Sequence, residues 1–357
     1  KDTSGLTFGT NGFHLTFKDD VVSEGFNTVT YTGNGGNQAI SGIGFQPDFV
    51  WVKNRDKSSG THHVLSDSVR GSTGGYLRKY ASSMTAAETN YSPGYYGSLT
   101  SIDGDGFSVG AANSDWQQTN SSGDHFVGWC WEAGGAPTAD NSASAGATPT
   151  AGSVKIDGSN LGSALGGSIA ATRLSADTTK GFSVVTYTGT GSAATVAHGL
   201  GALPKWIIVK RRDAAGGALV YHTSRGASAY LYLNDSGSGE TGVSYPWNGT
   251  DPTTSVFSVN SAASVSSATY VAYCWAEVSG YSKFGSFTGN GGSQAIDVGF
   301  TPAFVMLRRT NGGTWGMFDS LRGNSGSDKN LQMIGANSES VETTNSQMTF
   351  SGNTFND

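Results

Sequence analysis

The chain states one pattern three times, and that self-similarity constrains its fold more than any other feature. The run Gly25-Phe26-Asn27-Thr28-Val29-Thr30-Tyr31-Thr32-Gly33-Asn34-Gly35 returns as Gly181-Phe182-Ser183-Val184-Val185-Thr186-Tyr187-Thr188-Gly189-Thr190-Gly191. A third copy reads Phe284-Gly285-Ser286-Phe287-Thr288-Gly289-Asn290-Gly291-Gly292. Each copy leads into a proline, an aromatic residue and an apolar stretch, at Pro47 to Lys53, Pro204 to Lys210 and Pro302 to Arg308. A Ser-x-Arg-Gly corner follows at Ser68 to Gly71 and Ser320 to Gly323, and a related corner runs through Ser224, Arg225 and Gly226. The first two copies end alike, in Trp129-Cys130-Trp131 and Tyr273-Cys274-Trp275. From Tyr31 to Tyr187 is 156 residues and from Tyr187 to Phe287 is 100. That spacing is too long for a solenoid turn or a propeller blade and long enough for separate cores.

Between turns rich in Gly, Asn, Ser and Asp the apolar residues alternate with period two, and no segment sustains a period of 3.6. The class this predicts is all-β: tandem antiparallel β-sandwich domains, jelly-roll or lectin-like, joined by a Gly/Ala/Ser-rich linker. Glycine at 53 of 357 positions suits tight turns, and 8 Trp, 14 Tyr and 17 Phe supply apolar area that a disordered chain would lack. Residues 1–24 read as a β-hairpin segment of a preceding element, because Leu6, Phe8, Phe13, Leu15 and Phe17 alternate about the Thr10-Asn11-Gly12 turn. Residues 25–135 form a first sandwich repeat, 136–180 a linker, 181–279 a second repeat and 280–357 a third, incomplete one. Within the linker, Leu161, Leu165 and Ile169 allow at most one short helical turn among the glycines. The third copy reaches Asp357 without a counterpart of the Trp-Cys-Trp strand, so the natural polypeptide is expected to continue. The start at Lys1 suggests a trimmed or processed beginning.

A net charge of −6 with no Lys/Arg stripe argues against nucleic-acid binding, and no apolar stretch approaches a membrane-spanning length. Cys130 and Cys274 occupy matching places in different units, which makes them free, buried thiols rather than a disulfide, as in a protein that folds inside a cell. The recurring titratable groups are Asp67 with Arg70, His222 with Arg225, and Asp319 with Arg322. They suit either a polar-ligand site or a hydrogen-bonded structural corner. The histidine in the second copy and the glycine after each arginine favour the corner. Asp103 and Asp105, separated by glycine, have the spacing of a short calcium-type loop, but the second unit has Thr254-Ser255-Val256 there. A turn capped by aspartates is the better reading, and no other cofactor is implied. His62 and His63 read as a surface pair pointing to opposite faces, and His198 as a hydrogen-bonded turn residue. No nucleophile elbow, phosphate loop or His-Glu-x-x-His helix is present, so no enzyme is expected, although distant carboxylates could still meet in a depolymerase cleft. Candidate ligand contacts are the loop aromatics Tyr91, Tyr95, Tyr96, Trp116, Tyr245, Trp247 and Trp315, which could stack on sugar faces or anchor an interface; packing onto the sandwich competes for each.

The runs Thr30 to Gly35 with Pro47 to Asp56, and Val196 to Gly201 with Pro204 to Asp213, resemble a repeated domain of bacteriophage structural proteins, marine phages especially. Ala136 to Asn141 and Ala171 to Leu174 resemble the sequence that joins such domains, so the resemblance covers most of the chain. It implies a virion protein, folded in the host cytoplasm and exposed on the particle exterior in a tail fibre or another surface appendage. There it would contact other virion proteins and a host-surface glycan or protein. It also implies a homo-oligomer, a trimer by analogy with phage fibres, and carries over no catalytic residue. The third copy departs at Arg308-Arg309-Thr310-Asn311, where the others have Lys-x-Arg-Asp. The alternatives are a capsid decoration or head-fibre protein without a receptor role, a virion-associated polysaccharide depolymerase, and a bacterial surface adhesin.

Overall fold

A computed structural model describes residues 25–58, 60–88, 98–111, 119–323, 331–344 and 348–356. The expected hairpin at residues 6–17 lies outside them. Among the described residues the regular structure is antiparallel strand apart from one parallel pairing and a 3-10 turn at Ser320–Arg322. The fold is all-β.

The first unit builds a five-stranded sheet in the order Phe26–Thr32, His125–Trp131, Phe49–Asn54, Val64–Asp67, Lys79–Tyr80. Its first four members are called here the opening, closing, proline and corner strands. The second unit repeats that order with Phe182–Thr188, Thr269–Ala276, Pro204–Arg211 and Leu219–His222, followed by Ala229–Tyr232 and Glu240–Thr241. The third keeps the proline strand Phe304–Leu307 and the corner strand Gly316–Asp319, continued by Gln332–Gly335 and Thr343–Thr344. Each unit adds a smaller sheet, centred on Gly106–Val109, Val256–Val259 and Thr354–Asn356 respectively. Packing of the two sheets makes a sandwich with its own core: Ile40, Phe107, Phe126 and Cys130 in the first; Val196, Phe257, Tyr270 and Cys274 in the second; Val305, Phe318 and Phe355 in the third. Cys130 and Cys274 are free and buried, one in each of two separate cores.

Side chains alternate across a strand, so half of every main-sheet residue set must face away from its own sandwich. That second face is also covered. Phe49, Trp51, Trp129 and Trp131 of the first unit join Ile208, Tyr273 and Trp275 of the second and Trp315, Met317 and Ile334 of the third in one aromatic cluster. All six positions of Phe49–Asn54 are consequently buried. A strand covered on both sides carries a continuous apolar run, which is the physical meaning of Phe49-Val50-Trp51-Val52.

The segment expected as a linker, 136–180, carries strands instead. Ala171–Asp177 pairs antiparallel with the opening strand of the second unit, Val154–Ile156 runs parallel to it, and Ser159–Asn160 completes a nine-stranded sheet. Leu161 and Leu165 form no helical turn; they pack against the second core, and Ile169 is buried in it. Glycine is required where chain crosses chain: a Cβ on Gly134 would stand 2.5 Å from the Ala176 carbonyl oxygen. An unpaired sheet edge recruits even this weak strand sequence, because pairing satisfies backbone groups that would otherwise be orphaned.

In the third unit Phe284–Gly292, despite the repeat sequence, lies outside any strand. Among the described residues nothing pairs with the outer edge of Phe304–Leu307.

Because the three units share one core, Trp131→Ala, a truncation of a side chain 7% exposed, is expected to destabilise the whole chain by about 3–5 kcal/mol. Calorimetry should show one transition moving down. Two separate transitions, of which only one shifts, would show that the units unfold independently.

Candidate functional site

The recurring Asp–Arg corners lie at the seams between units. At the end of the first corner strand, Asp67 Oδ1 accepts the backbone N–H groups of Val69 and Arg70, and Oδ2 accepts Arg70 Nε at 2.5 Å. The fourth donor comes from the neighbouring unit, the Tyr273 hydroxyl at 2.7 Å. Asp319 repeats the set with Leu321, Arg322 and Arg322 Nε, and its fourth donor is Trp129 Nε1 of the first unit at 2.9 Å. Tyr273 and Trp129 are the matching aromatics that immediately precede the cysteine in the two closing strands. The two aspartate and two arginine side chains are fully buried.

A second layer extends each corner. Arg70 and Arg322 donate to the carbonyls of Leu65 and Met317 and to the carboxylates of Glu88 and Glu342. Glu88 also takes Arg212 of the second unit at 2.8 and 3.1 Å, and Glu342 takes Arg55 of the first at 2.9 and 2.7 Å. Arg55 and Arg212 are the arginines of the two Lys-x-Arg-Asp runs. The lysines cross the same seams: Lys210 Nζ reaches the Thr85 carbonyl and Lys53 Nζ the Glu339 carbonyl. Burial lowers both to about 8. Burial alone would raise the Glu88 carboxyl; the charge of Arg70 and the bonds from Arg212 and Arg78 outweigh it and hold the group below its ordinary range. Every oxygen of the two aspartates is thus occupied by a protein donor, and the chemistry available to the corners is the joining of units.

The third corner differs. His222 is half-buried and accepts the Ser224 N–H on Nδ1, while Arg225 donates to the carbonyls of Thr310 and Ser238. Arg225 Nε, buried, has no hydrogen-bond partner among the described residues. Across this seam Arg308 donates to the carbonyls of Tyr232, Asp235 and Gly237.

The aromatic candidates separate by burial. Trp247 is 2% exposed in the second core with Nε1 on the Ala229 carbonyl, and Trp315 is 5% exposed in the shared core with Nε1 on the Tyr232 carbonyl. Neither is a contact residue: each indole N–H finds a backbone acceptor, which lets the ring be enclosed. Tyr245 is exposed at 38%, with its hydroxyl donating to Glu240 at 2.6 Å and its ring 5.6 Å from that of Tyr230. Tyr91, Tyr95, Tyr96 and Trp116 lie outside the described residues.

Asp105 accepts the N–H groups of Gly42 and Gly44, and Asp103 the hydroxyls of Ser101 and Ser108. Asp105 thus ties its turn to the loop at Gly42 and Gly44 while Asp103 braces its own hairpin, and among the described residues no three His, Cys, Asp or Glu side chains converge as a metal would need. His63 corrects the surface reading: it is fully buried, accepts Trp51 Nε1–H on Nδ1 at 2.7 Å and faces the Gly335 carbonyl with Nε2 at 2.9 Å. Burial, with Lys53 nearby, keeps it neutral by lowering its pKa well below the usual value. His198 is buried between the Thr253 carbonyl and the Leu200 N–H, and burial lowers it to about 4.

An open cleft of about 360 Å³ between the first unit and the segment before the second brings Asp48, Glu132, Asp157 and Asp177 to one rim. Asp48 is held by Ala133, Gly135 and Ser68, Asp157 by Thr178, and Asp177 by Thr179 and Lys180. Sequence spacing announces neither this cleft nor Glu88 and Glu342, although the two glutamates fall 18 and 20 residues after their corner arginines, a parallel that alignment of the copies could have exposed.

The chain matches the family described as a domain of unknown function (DUF7483) over residues 22–158 and again over 153–356, and it belongs to that family. No curated protein and no solved structure matches it.

Removing one partner of a buried ion pair strands the other, so Asp67→Asn should destabilise by about 3–5 kcal/mol and Tyr273→Phe by about 1.5–3 kcal/mol, read by denaturant unfolding. Losses no greater than those of exposed-site controls would show that the seams do not depend on these bonds. Glu88, with its depressed folded value, contributes stability that is full above about pH 4.3 and is lost as pH falls through the folded value. Glu88→Gln should lower Tm at pH 7 and flatten its fall between pH 5 and 3; an unchanged acid limb would exclude Glu88 as its source.

Proposed function

We propose that this member of the DUF7483 family is a structural and attachment module of a bacteriophage virion, holding three copies of one sandwich in a fixed array and presenting surface loops to a host-cell glycan. The phage assignment rests on the resemblance of the repeated Thr-Tyr-Thr-Gly and Pro-x-aromatic runs to a domain of bacteriophage structural proteins. The observation that carries the attachment reading is the Tyr245–Glu240 platform. A phenol ring 38% exposed, backed by Tyr230 and hydrogen-bonded to a carboxylate, offers a flat face for a sugar ring and an acceptor for its hydroxyls. The hydrogen bond that Tyr245 donates to Glu240 raises the phenol above its usual pKa, so the hydroxyl stays protonated at physiological pH. A rigid array suits weak sites, since several copies on one particle raise avidity without any single tight contact.

The test has two parts. Gold-labelled antibody against this chain, applied to intact particles, should decorate projecting appendages; label confined to a smooth shell would leave a decoration role and end the attachment reading. On a microarray of bacterial surface glycans the protein should bind at least one class, and Tyr245→Ala should weaken that signal about fivefold with Tm unchanged. Equal binding by the variant would remove Tyr245 from the contact surface.

A further inference from the structure

The third unit preserves the seat of a closing strand whose place, among the described residues, is empty. In the first two units the tyrosine of the repeat touches two rings. Tyr31 stands edge-on to Phe107 and stacks on Phe126 of the closing strand at 5.1 Å; Tyr187 stands edge-on to Phe257 and stacks on Tyr270 at 5.1 Å. Phe287, the third counterpart, keeps the edge-on contact, with Phe355 at 5.9 Å, but among the described residues has no stacked partner and is 37% exposed.

The glycines tell the same story. A Cβ on Gly33 would lie 2.1 Å from the Ser121 carbonyl oxygen, and one on Gly189 would lie 2.3 Å from that of Val265, because the loop entering each closing strand crosses there. Gly289 occupies the matching position with nothing within 4 Å. Among the described residues the outer edge of Phe304–Leu307 is unpaired, and its burial is incomplete where Phe49–Asn54 is buried throughout.

The facing unit carries the complementary vacancies. In the other two seams the proline-strand aromatics Phe49 and Phe304 meet the neighbour's closing-strand rings, Phe49 against Tyr273 at 4.4 Å and Phe304 against Trp131 at 5.9 Å. Among the described residues Trp206, their counterpart, pairs its ring only with Trp275 of its own unit, and its buried Nε1 has no hydrogen-bond partner. Arg225 Nε likewise has no partner among the described residues, where Arg70 and Arg322 find a carboxylate.

We propose that the outer edge of Phe304–Leu307 is a receptor for one antiparallel β-strand of the repeat's own closing type, aromatic-Val-small-aromatic-Cys-Trp, preceded by a short loop that crosses Gly289. The first aromatic stacks on Phe287, the second and the Trp enter the shared core beside Trp206, and the backbone adds one strand to the sheet. A charged or β-breaking peptide fits neither face.

The experiment uses a fluorescein-labelled peptide of residues Asn260–Ala276, which contains a closing strand and its loop, added to the full chain. Anisotropy should report saturable binding, and hydrogen exchange should slow at Phe304–Leu307. A scrambled peptide, or one with its first strand tyrosine replaced by serine, should bind at least about tenfold more weakly, as should the Phe287→Ala protein. Equal affinity for the scrambled peptide, or binding without protection at Phe304–Leu307, would overturn the proposal. So would concentration-dependent dimerisation that protects this edge and excludes the peptide, because the occupant would then be a second copy.

Discussion

The structure depends on burying the main sheets from both sides. A sandwich of about 100 residues ordinarily leaves the outer face of each sheet to water, and polar residues alternate there. Here the outer faces carry Trp51, Trp129, Trp131, Tyr273 and Trp275, which cannot be exposed together without creating a large apolar patch. Association of the three units is therefore a condition of each unit's fold. The hydrophobic term supplies the drive, and being non-directional it does not select an orientation.

Orientation comes from the buried polar corners. A carboxylate in an apolar core is costly unless every lone pair is used, and Asp67 and Asp319 use theirs on two backbone N–H groups, one guanidinium and one donor reached only when the neighbour's closing strand is in register. A slip of one residue would turn Tyr273 or Trp129 to the opposite face and leave a buried charge incompletely paired. Glu88 and Glu342 extend the same logic outward through Arg212 and Arg55. The two seams are copies of one head-to-tail contact, from second unit to first and from first to third.

Much of this is visible in the residues, and what is not has identifiable causes. Period-two alternation and turn chemistry give the all-β class, and recurrence of the Asp–Arg pairs singles out the corners, because a polar residue repeated at one place in diverged copies has a partner at that place. Alternation cannot say what covers the second face of a strand, so the shared core is hidden; only the unbroken Phe49-Val50-Trp51-Val52 run hints at it. The strands within 136–180 escape notice because their side chains are small and their formation depends on a distant edge. Trp247 and Trp315 mislead because their polar neighbours in sequence are turns that cap them, not solvent. Tyr245 sits in an equally polar stretch and is exposed, and the difference lies in the acceptor: a backbone carbonyl buries an indole, whereas the Glu240 carboxylate, itself exposed, keeps the phenol at the surface.

The exception at the third corner follows from the same electrostatics. An aspartate at position 222 would need a fourth donor like Tyr273 or Trp129, and the described residues of the third unit offer none there. An incompletely paired buried carboxylate would be raised in pKa or would open the seam to water. Histidine meets the situation differently. Burial, with Arg225 close by, lowers its pKa, so it stands neutral, and a neutral ring accepts the Ser224 N–H without demanding a counter-charge. The guanidinium of Arg225, deprived of a carboxylate, turns to the carbonyls of Thr310 and Ser238, acceptors that are weaker but carry no charge of their own. Histidine thus lets this seam close while, among the described residues, the closing-strand seat of the third unit stands empty, because a neutral acceptor needs no donor from that strand.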